Sequence, residues 1–524
     1  MTGVAEQASP DRLWFPECRT LAGTLAFHAA RIPGHPAVVT ADSSVSYREL
    51  DAVSNRLARA LTDAGAGAGT RIAVIGHESA HYYELLFAVA KIGAVLVPVN
   101  WRLSAPEVAH ILSDSQAMFL FADGTGGELP STGSTSVIGY DTDYYARWID
   151  GFDDAPVVPD TSETDPIAQL YTSGTTGLPK GVVLPQRSFF AIGDLLAGAG
   201  VDWIDWHRGD VSLIGLPGFH IGGLWWAMQG FRSGITNAVM PYFSAEHALA
   251  LFSRYQITTG CMAAAMIQIL LSDPSVSRRT FASLRKVIYG GSPISEDLLQ
   301  RAMTILRCDF AQIYGLTETG NTAVCLPPDQ HRPGTPRMRA AGRPYPGVEC
   351  RIVGDNGETL PVGAVGEVQL KTPARMLEYW RLPDATAATL VDGWIITGDA
   401  GYLDADGYLY IHDRIKDMII SAGENVYPAE IENVLAGHPA VHDVAVIGVP
   451  DDRWGEAIHA FVTATAGAEI DTRSLVEFAS NRLAAFKLPA KYHLVDSIPR
   501  NPSGKILRRE LRAEFWSGRD RQVN

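Results

Sequence analysis

A chain of 524 residues exceeds what one hydrophobic core usually supports, so at least two domains are expected. Apolar residues make up 46% and charged residues 19%, which excludes disorder on a large scale. Lysine and arginine number 43 against 58 acidic residues, a net charge of −15, so nucleic-acid partners are not expected and phosphates must be met by local devices.

The N-terminus, MTGVAEQASPDRLWF, has neither a cationic start nor an apolar core, so no signal peptide is expected. Ser46 to Ala64 sets Tyr47, Leu50, Val53, Leu57 and Leu61 at spacings of three and four, an amphipathic helix capped by Ser46. Arg71 to Gly76 reads as a buried strand and Ala80 to Ile92 as an apolar helix. Val95 to Val99 and Met118 to Phe121 read as further strands, separated by the helix-like SAPEVAHILSDS. The most apolar stretch, Glu84 to Val99, is broken by Lys91 and is too short for a bilayer, so no integral membrane segment is expected. Strand and helix in alternation imply an α/β protein with parallel sheets covered by helices. The Gly/Ser/Thr-rich patch Asp123 to Ser136 reads as an exposed loop.

Texture changes after Asp399. GYLDADGYLYIHDRIKD suggests a hairpin about a DADG turn, followed by a unit of roughly one hundred residues, the size of a small α+β domain. There Pro428 to Leu435 and Arg473 to Leu483 read as helices, and Val441 to Val449 and Ala457 to Thr465 as strands. The five cysteines (Cys18, Cys261, Cys308, Cys325, Cys350) are odd in number and form no CxxC pair. A reducing, cytoplasmic setting is expected, with no cysteine zinc cluster.

The most informative stretch is Tyr171 to Gly181, YTSGTTGLPKG. Thr172, Ser173, Thr175 and Thr176 carry hydroxyls around Gly174 and Gly177, and Lys180 adds a cation, the composition of a phosphate-cradling nest. No GK[ST] closes a Walker A loop here, nor at Ser503-Gly504-Lys505, where Ile506 follows.

With this loop the chain resembles the acyl-adenylate-forming enzymes, which include acyl-CoA synthetases, aryl-CoA ligases, beetle luciferases and peptide-synthetase adenylation domains. Further matches follow in order: YGGSP at 289–293, IYGLTETG at 313–320, GRPYPG at 342–347 and GWIITGD at 393–399. DRIKDMIISAGENVYPAEIE at 413–432 and PRNPSGKILR at 499–508 complete the set. Together they cover nearly the whole chain from about residue 20.

The resemblance implies a large N-terminal domain of layered α/β sheets over 1–412, a hinge at 413–416 and a small mobile α+β domain over 417–524. It implies a reaction in which a carboxylate attacks the α-phosphorus of ATP, pyrophosphate leaves, and a thiol then displaces AMP. In this reading Thr172, Ser173, Gly174, Thr175, Thr176 and Lys180 hold the β- and γ-phosphates. Thr317 meets the α-phosphate and Glu318 binds Mg²⁺. Gly290, Gly291, Ser292 and Tyr314 surround the adenine, and Asp399 and Arg414 meet the ribose. Lys505 brings a mobile positive charge to the carboxylate and α-phosphate. Rotation about Lys416 then withdraws Lys505 and brings Gly423 up to line a pantetheine tunnel for coenzyme A.

His220, in PGFHIGG, falls at the carboxylate-binding end as a shaping or gating residue. No general base is required there, because a carboxylic acid is already ionised near neutrality. The implied acyl pocket takes in His220, Ile221, Gly222, Trp225, Met266, Ile313, Gly315, Gly320 and Asn321. Gly222, Gly223, Gly315 and Gly320 would leave room, and Trp225 and Trp226 would either limit depth or pack a helix. Amino-acid-activating relatives place an aspartate where this chain has His220, so a small-molecule fatty, alicyclic or aromatic acid is expected instead. The chain departs from the pattern at Asp413, Ala422 and Ala264-Ala265.

Three readings follow. A CoA ligase leads, because carrier-directed relatives typically carry an insertion near the domain junction and none lies between Asp399 and Asp417. A ligase loading a carrier protein is the alternative. A non-catalytic nucleotide-binding relative is disfavoured by the intact Thr317, Glu318, Asp399, Arg414 and Lys505. The resemblance also admits a homodimer.

Overall fold

The computed structural model describes residues 13–124, 129, 133–140, 142–172, 179–292, 294–421, 424–451, 455–501 and 504–517, with backbone alone at 414, 416 and 425. Apolar strand runs bounded by helices build two large sheets, as the alternating pattern implies. In the seven-stranded one, Pro166–Thr172, Val95–Val99, Arg71–Ile75, Phe119–Ala122 and Ser136–Gly139 run parallel. Lys180–Pro185 and Glu378–Tyr379 extend it antiparallel. In the nine-stranded one, the parallel strands run in the order Asp309–Tyr314, Lys286–Gly290, Thr259–Met262, Val211–Ile214, Thr236–Ala238 and Pro36–Val39. Such sheets present the C-terminal ends of their strands to ligands.

Local signals explain the elements that the sequence announces. Helix Tyr47–Asp63 opens with a reciprocal cap: Ser46 Oγ accepts from Glu49 N–H, and Glu49 Oε2 accepts from Ser46 N–H at 2.8 Å. The expected helix and strand at Glu84 to Val99 are Ala80–Lys91 and Val95–Val99, both buried in the core. Lys91 is neutralised there by Asp51, with Ser54 and Asn55 accepting its remaining protons. No described helix is long and apolar enough to cross a membrane. The patch Asp123 to Ser136 is not wholly an exposed loop. Ser136 opens a strand beside Phe119–Ala122, and buried Thr135 donates to Ala117 O at 2.7 Å.

Helix Ile221–Ser233 is buried on every face, so its sequence lacks the polar stripe of a surface helix. Trp225 and Trp226 belong to this core, the latter with its ring centroid 5.0 Å from that of Trp206. The tryptophan pair therefore packs a helix.

The hairpin read from GYLDADG joins Trp394–Leu403 to Leu409–Arg414, and Asp404 Oδ1 accepts from Asp406 and Tyr408 N–H to close its turn. These strands belong to a five-stranded antiparallel sheet with Glu349–Val353, Gly366–Lys371 and Leu390–Val391. The chain then makes one 3-10 turn, Ile415–Asp417, and enters a fourth sheet. This holds Glu424–Val426, Ile419–Ser421, Gly455–Ala464 and Val441–Asp451, with Lys491–Leu494 parallel beside Gly455–Ala464. Helices Pro428–Ala436 and Thr472–Ser480 cover it and share a separate apolar core with Ile419, Val446, Ile458 and Val462. The architecture is a large N-terminal α/β region followed by a small C-terminal domain.

Candidate active site

Several of the described residues singled out by sequence lie where the sheets' strand ends meet the small domain. Tyr314 ends its parallel strand and donates through its hydroxyl to Asp399 Oδ2 at 2.6 Å, across 85 residues of sequence. Asp399 is buried on the antiparallel sheet, its backbone paired with that of Arg414. Gly290 is the register partner of Ile313, and a β-carbon on Gly290 would lie 2.4 Å from Ile313 O. Gly290, Gly291, Ser292, Tyr314, Asp399 and the Arg414 backbone thus share one end of adjoining sheets. The side chain of Arg414 lies outside the described residues.

Thr172 and Lys180 face one another as the last antiparallel pair beneath the Gly/Ser/Thr loop. Ser173, Gly174, Thr175 and Thr176 lie outside the described residues, as does Gly423; so does the side chain of Lys416. Thr317 and Glu318 form a 3-10 turn directly after the Tyr314 strand. The edge strand Glu378–Tyr379 adds a residue that sequence reasoning missed. Tyr379 donates its hydroxyl to Glu318 Oε1 at 2.7 Å, and its ring lies 5.2 Å from Lys180 Nζ. Tyr379 gathers the loop lysine and the turn carboxylate about one phenol. It stands in none of the short patterns.

His220 caps helix Ile221–Ser233, its Nδ1 accepting from Gly222 N–H at 3.3 Å. A nitrogen that accepts carries no proton, so the neutral ring is protonated on Nε2. Burial and the neighbouring Lys505 ammonium push its pKa down to about 4, so it is neutral at physiological pH. The Lys505 loop reaches the large region nearby: a β-carbon on Gly504 would lie 2.8 Å from that of Ala265. Lys505 itself is positioned by Asn501, whose Oδ1 accepts Lys505 N–H and whose N–H donates to Lys505 O, both at 2.8 Å. Arg500 holds Gly504 O while pairing in bidentate fashion with Asp443. Arg500, Asn501 and Asp443 are further residues not singled out from sequence.

Around the expected acyl end, neighbouring backbone closes in on three of the glycines. A β-carbon on Gly223 would meet Leu216 O and Pro217 O at 2.3 Å. On Gly315 it would meet Asn321 O at 2.3 Å, and on Gly320, Ala374 O at 2.3 Å. At Gly222 it would meet Leu216 Cδ1 at 2.8 Å, with His220 Nδ1 and Asn321 Oδ1 next. Met266 and Ile313 are buried close by in the chain's main core, together with Ile221 and Trp225. Asn321 has φ of 88° and a buried Nδ2 without a hydrogen-bond partner. Among the described residues, Asn321 thus combines left-handed backbone, which is uncommon outside glycine, with a buried donor that nothing accepts.

A small pocket lies behind the 217–219 loop, lined by His77, Glu78, Tyr82, Trp101, Gly218 and Phe219 among others. Both backbone groups of Gly218 are gripped at its edge: N–H donates to Glu78 Oε2 and O accepts from Tyr82 Oη, each at 2.8 Å. The clamp sits two residues before His220.

The AMP-binding enzyme family matches residues 25–380, and the AMP-binding enzyme C-terminal domain matches residues 430–505. A fatty acid–[acyl-carrier-protein] ligase, ScoC of Streptomyces coeruleorubidus, is 56% identical over 518 residues, 98% of this chain and 100% of the relative. A long-chain-fatty-acid–CoA ligase of Mycobacterium tuberculosis is 37% identical over 484 residues, 90% of this chain and 94% of the relative. The ATP-bound crystal structure of MatB from Rhodopseudomonas palustris superposes with a TM-score of 0.85 at 30% identity, covering 95% of this chain and 99% of MatB. Two domain matches in order, near-complete coverage by curated relatives and the shared two-part fold place this chain among the AMP-binding, adenylate-forming enzymes, as an ATP-binding acid ligase.

Proposed function

We propose that this ligase activates a fatty acid as its acyl-adenylate and then loads the acyl group onto the phosphopantetheine thiol of an acyl carrier protein. The observation that carries the acceptor is the 56% identity to a carrier-protein ligase over essentially all of both chains, against 37% to the CoA ligase. This reverses the preference drawn from the missing insertion. ScoC aligns along its whole length with 98% of this chain, so the missing insertion does not count against a carrier-protein acceptor.

In the first step a carboxylate oxygen bonds to the α-phosphorus and the bond to the β-phosphate oxygen breaks. Both reactants are anions, so positive charge must stand where negative charge accumulates. Lys505 supplies it, on a loop already turned toward His220 and Ala265. Thr317 lies on the turn facing the α-phosphate, and the loop from Thr172 to Lys180 takes the outer phosphates. Tyr314 and Asp399 hold the nucleoside, the tyrosine fixing the carboxylate that accepts the ribose hydroxyls. His220, neutral and protonated on Nε2, offers a donor to an acyl oxygen without adding charge. Asn321 Nδ2 offers a second.

Mg²⁺ fits at Glu318. Tyr379 engages one carboxylate oxygen and leaves the other, and among the described residues no three His, Cys, Asp or Glu gather as an all-protein site. One carboxylate with substrate phosphates is a common magnesium arrangement. The ion, when bound, neutralises phosphate charge. In the second step the thiol sulfur bonds to the acyl carbon and AMP leaves, which on this proposal follows rotation about Lys416 and withdrawal of Lys505. Coenzyme A remains the second reading, favoured by the resemblance to a CoA ligase over 90% of this chain.

The test supplies ATP, Mg²⁺ and fatty acids of graded length, with either phosphopantetheinylated carrier protein or CoA at equal thiol concentration. Acyl-carrier formation, read by intact-protein mass spectrometry, should outpace acyl-CoA formation. Faster acyl-CoA formation would return the enzyme to the CoA ligases.

A further inference from the structure

Asp413 stands where the resemblance leads one to expect glycine, three residues before the proposed hinge at Lys416. Its backbone belongs to the large region: in strand Leu409–Arg414 it pairs with Ala400, next to Asp399. Its side chain is buried and held by the small domain. Oδ2 accepts from Ala429 N–H at 2.9 Å and lies 4.0 Å from Arg508 Nη2.

Ala429 is the second residue of helix Pro428–Ala436, and the preceding Tyr427 makes no side-chain cap. The first N–H groups of a helix have no partner within it, and a carboxylate there gains from the helix dipole as well as the hydrogen bond. This helix therefore borrows its cap from across the hinge. Arg508 ties the cap to the catalytic loop. It follows Lys505 by three residues, bonds both oxygens of Glu432 at 2.8 Å, donates to Val446 O and lies 3.8 Å from Asp417. Arg512 pairs with Asp417 as well. A second contact spans the same junction, the ring of His412 stacked on that of Tyr427 with centroids 4.8 Å apart.

We infer that Asp413 is a positioning residue for adenylation: a latch that stabilises the arrangement with Lys505 inward by capping Pro428–Ala436 and facing Arg508. Its backbone is fixed to one sheet and its carboxylate to the other domain, so rotation at Ile415–Asp417 separates them. The bond exists in one arrangement and is lost in the other, which makes it a bias on the equilibrium between half-reactions. Arg508 keeps Glu432 and Asp417 when Asp413 is replaced, so the small domain retains its own ion pairs.

The inference rests on the hinge reading at Lys416, and the experiment separates the two. Acid-dependent pyrophosphate exchange reports adenylation, and acyl transfer from supplied acyl-adenylate reports the second step. Asp413→Ala should slow adenylation roughly 10-fold, the scale of a lost charged cap, while transfer holds or rises. Asp413→Asn, which keeps an acceptor, should fall between the two. Equal losses in both steps, or unchanged adenylation, would overturn the latch. Lys416→Pro is the companion variant. If it impairs transfer selectively and Asp413→Ala is without its effect, the latch alone falls; if it impairs both steps alike, hinge and latch fall together.

Discussion

Lys505 is positioned through the chain on either side of it: Asn501 and Arg500 close its loop from before, and Arg508 anchors the helix that follows. On the proposed mechanism this ammonium, beside a histidine kept neutral by burial, meets the charge of the substrate. Lys505→Ala should lower acid-dependent pyrophosphate release by about 10²-fold at saturating ATP, the usual scale for a lost charge-stabilising donor. A rate within twofold of the parent would remove the lysine from the chemistry. At this scale the sequence singles out residues wherever they stand in short patterns, as Lys505, Glu318 and Asp399 do. It was silent on the partners that orient them. Tyr379 lies 61 residues from Glu318, Asp443 57 from Arg500, and Glu432 76 from Arg508. Nothing in local composition marks a phenol or a carboxylate for such a meeting, because the fold supplies the proximity.

Elements with a local rule were read well: a capping box opens Tyr47–Asp63, and an Asp-rich turn closes the Trp394–Leu403 hairpin. The loop before His220 had no such rule. Nor had the glycines of the expected acyl end, which looked like room for a substrate, whereas neighbouring backbone fills the space beside Gly223, Gly315 and Gly320. What shapes the loop is Glu78, half-buried and bonded to Tyr83 as well as Gly218. Burial pushes its pKa up to about 7 from 4.5, against the pull of those two bonds. The folded state therefore holds this proton more tightly than the unfolded chain. Its contribution is complete below pH 4.5 and is lost as pH rises through 7. A shift of this size corresponds to at most about 3 kcal/mol, less where water screens the carboxyl. Glu78→Gln, which keeps the shape and the acceptor, should lose less stability than the parent between pH 5 and 7.5. Thermal melts across that range measure the difference, and parallel Tm curves would show that Glu78 does not titrate in it.

Over the whole molecule, the principal apolar cores of the large region and the small domain are separate. One joins the large sheets through helices such as Ile221–Ser233; the other, around Ile431, Leu435 and Leu475, belongs to the small domain. Among the described residues, contacts between them include Gln268 Nε2 to His442 O at 3.3 Å, Gly504 against Ala265, Asp413 reaching Ala429 and the ring of His412 on that of Tyr427. A body with its own core, joined by one 3-10 turn, can rotate without exposing either core, whereas a shared core would forbid it. On the proposed mechanism, this would also reconcile the net charge of −15 with a polyanionic substrate, since a lysine delivered and withdrawn avoids a permanent cationic surface. Proline suits the φ of a 3-10 turn but cannot follow a rotation through that angle. Lys416→Pro should therefore leave adenylation within a few-fold of the parent and reduce thiol transfer by about 10²-fold, the cost of losing a rate-limiting conformational step. Crowding of Ile415 by the new ring lowers both steps alike, so the ratio of the two rates is the quantity to read. A ratio equal to the parent's would mean that the domains complete both half-reactions without turning at Lys416.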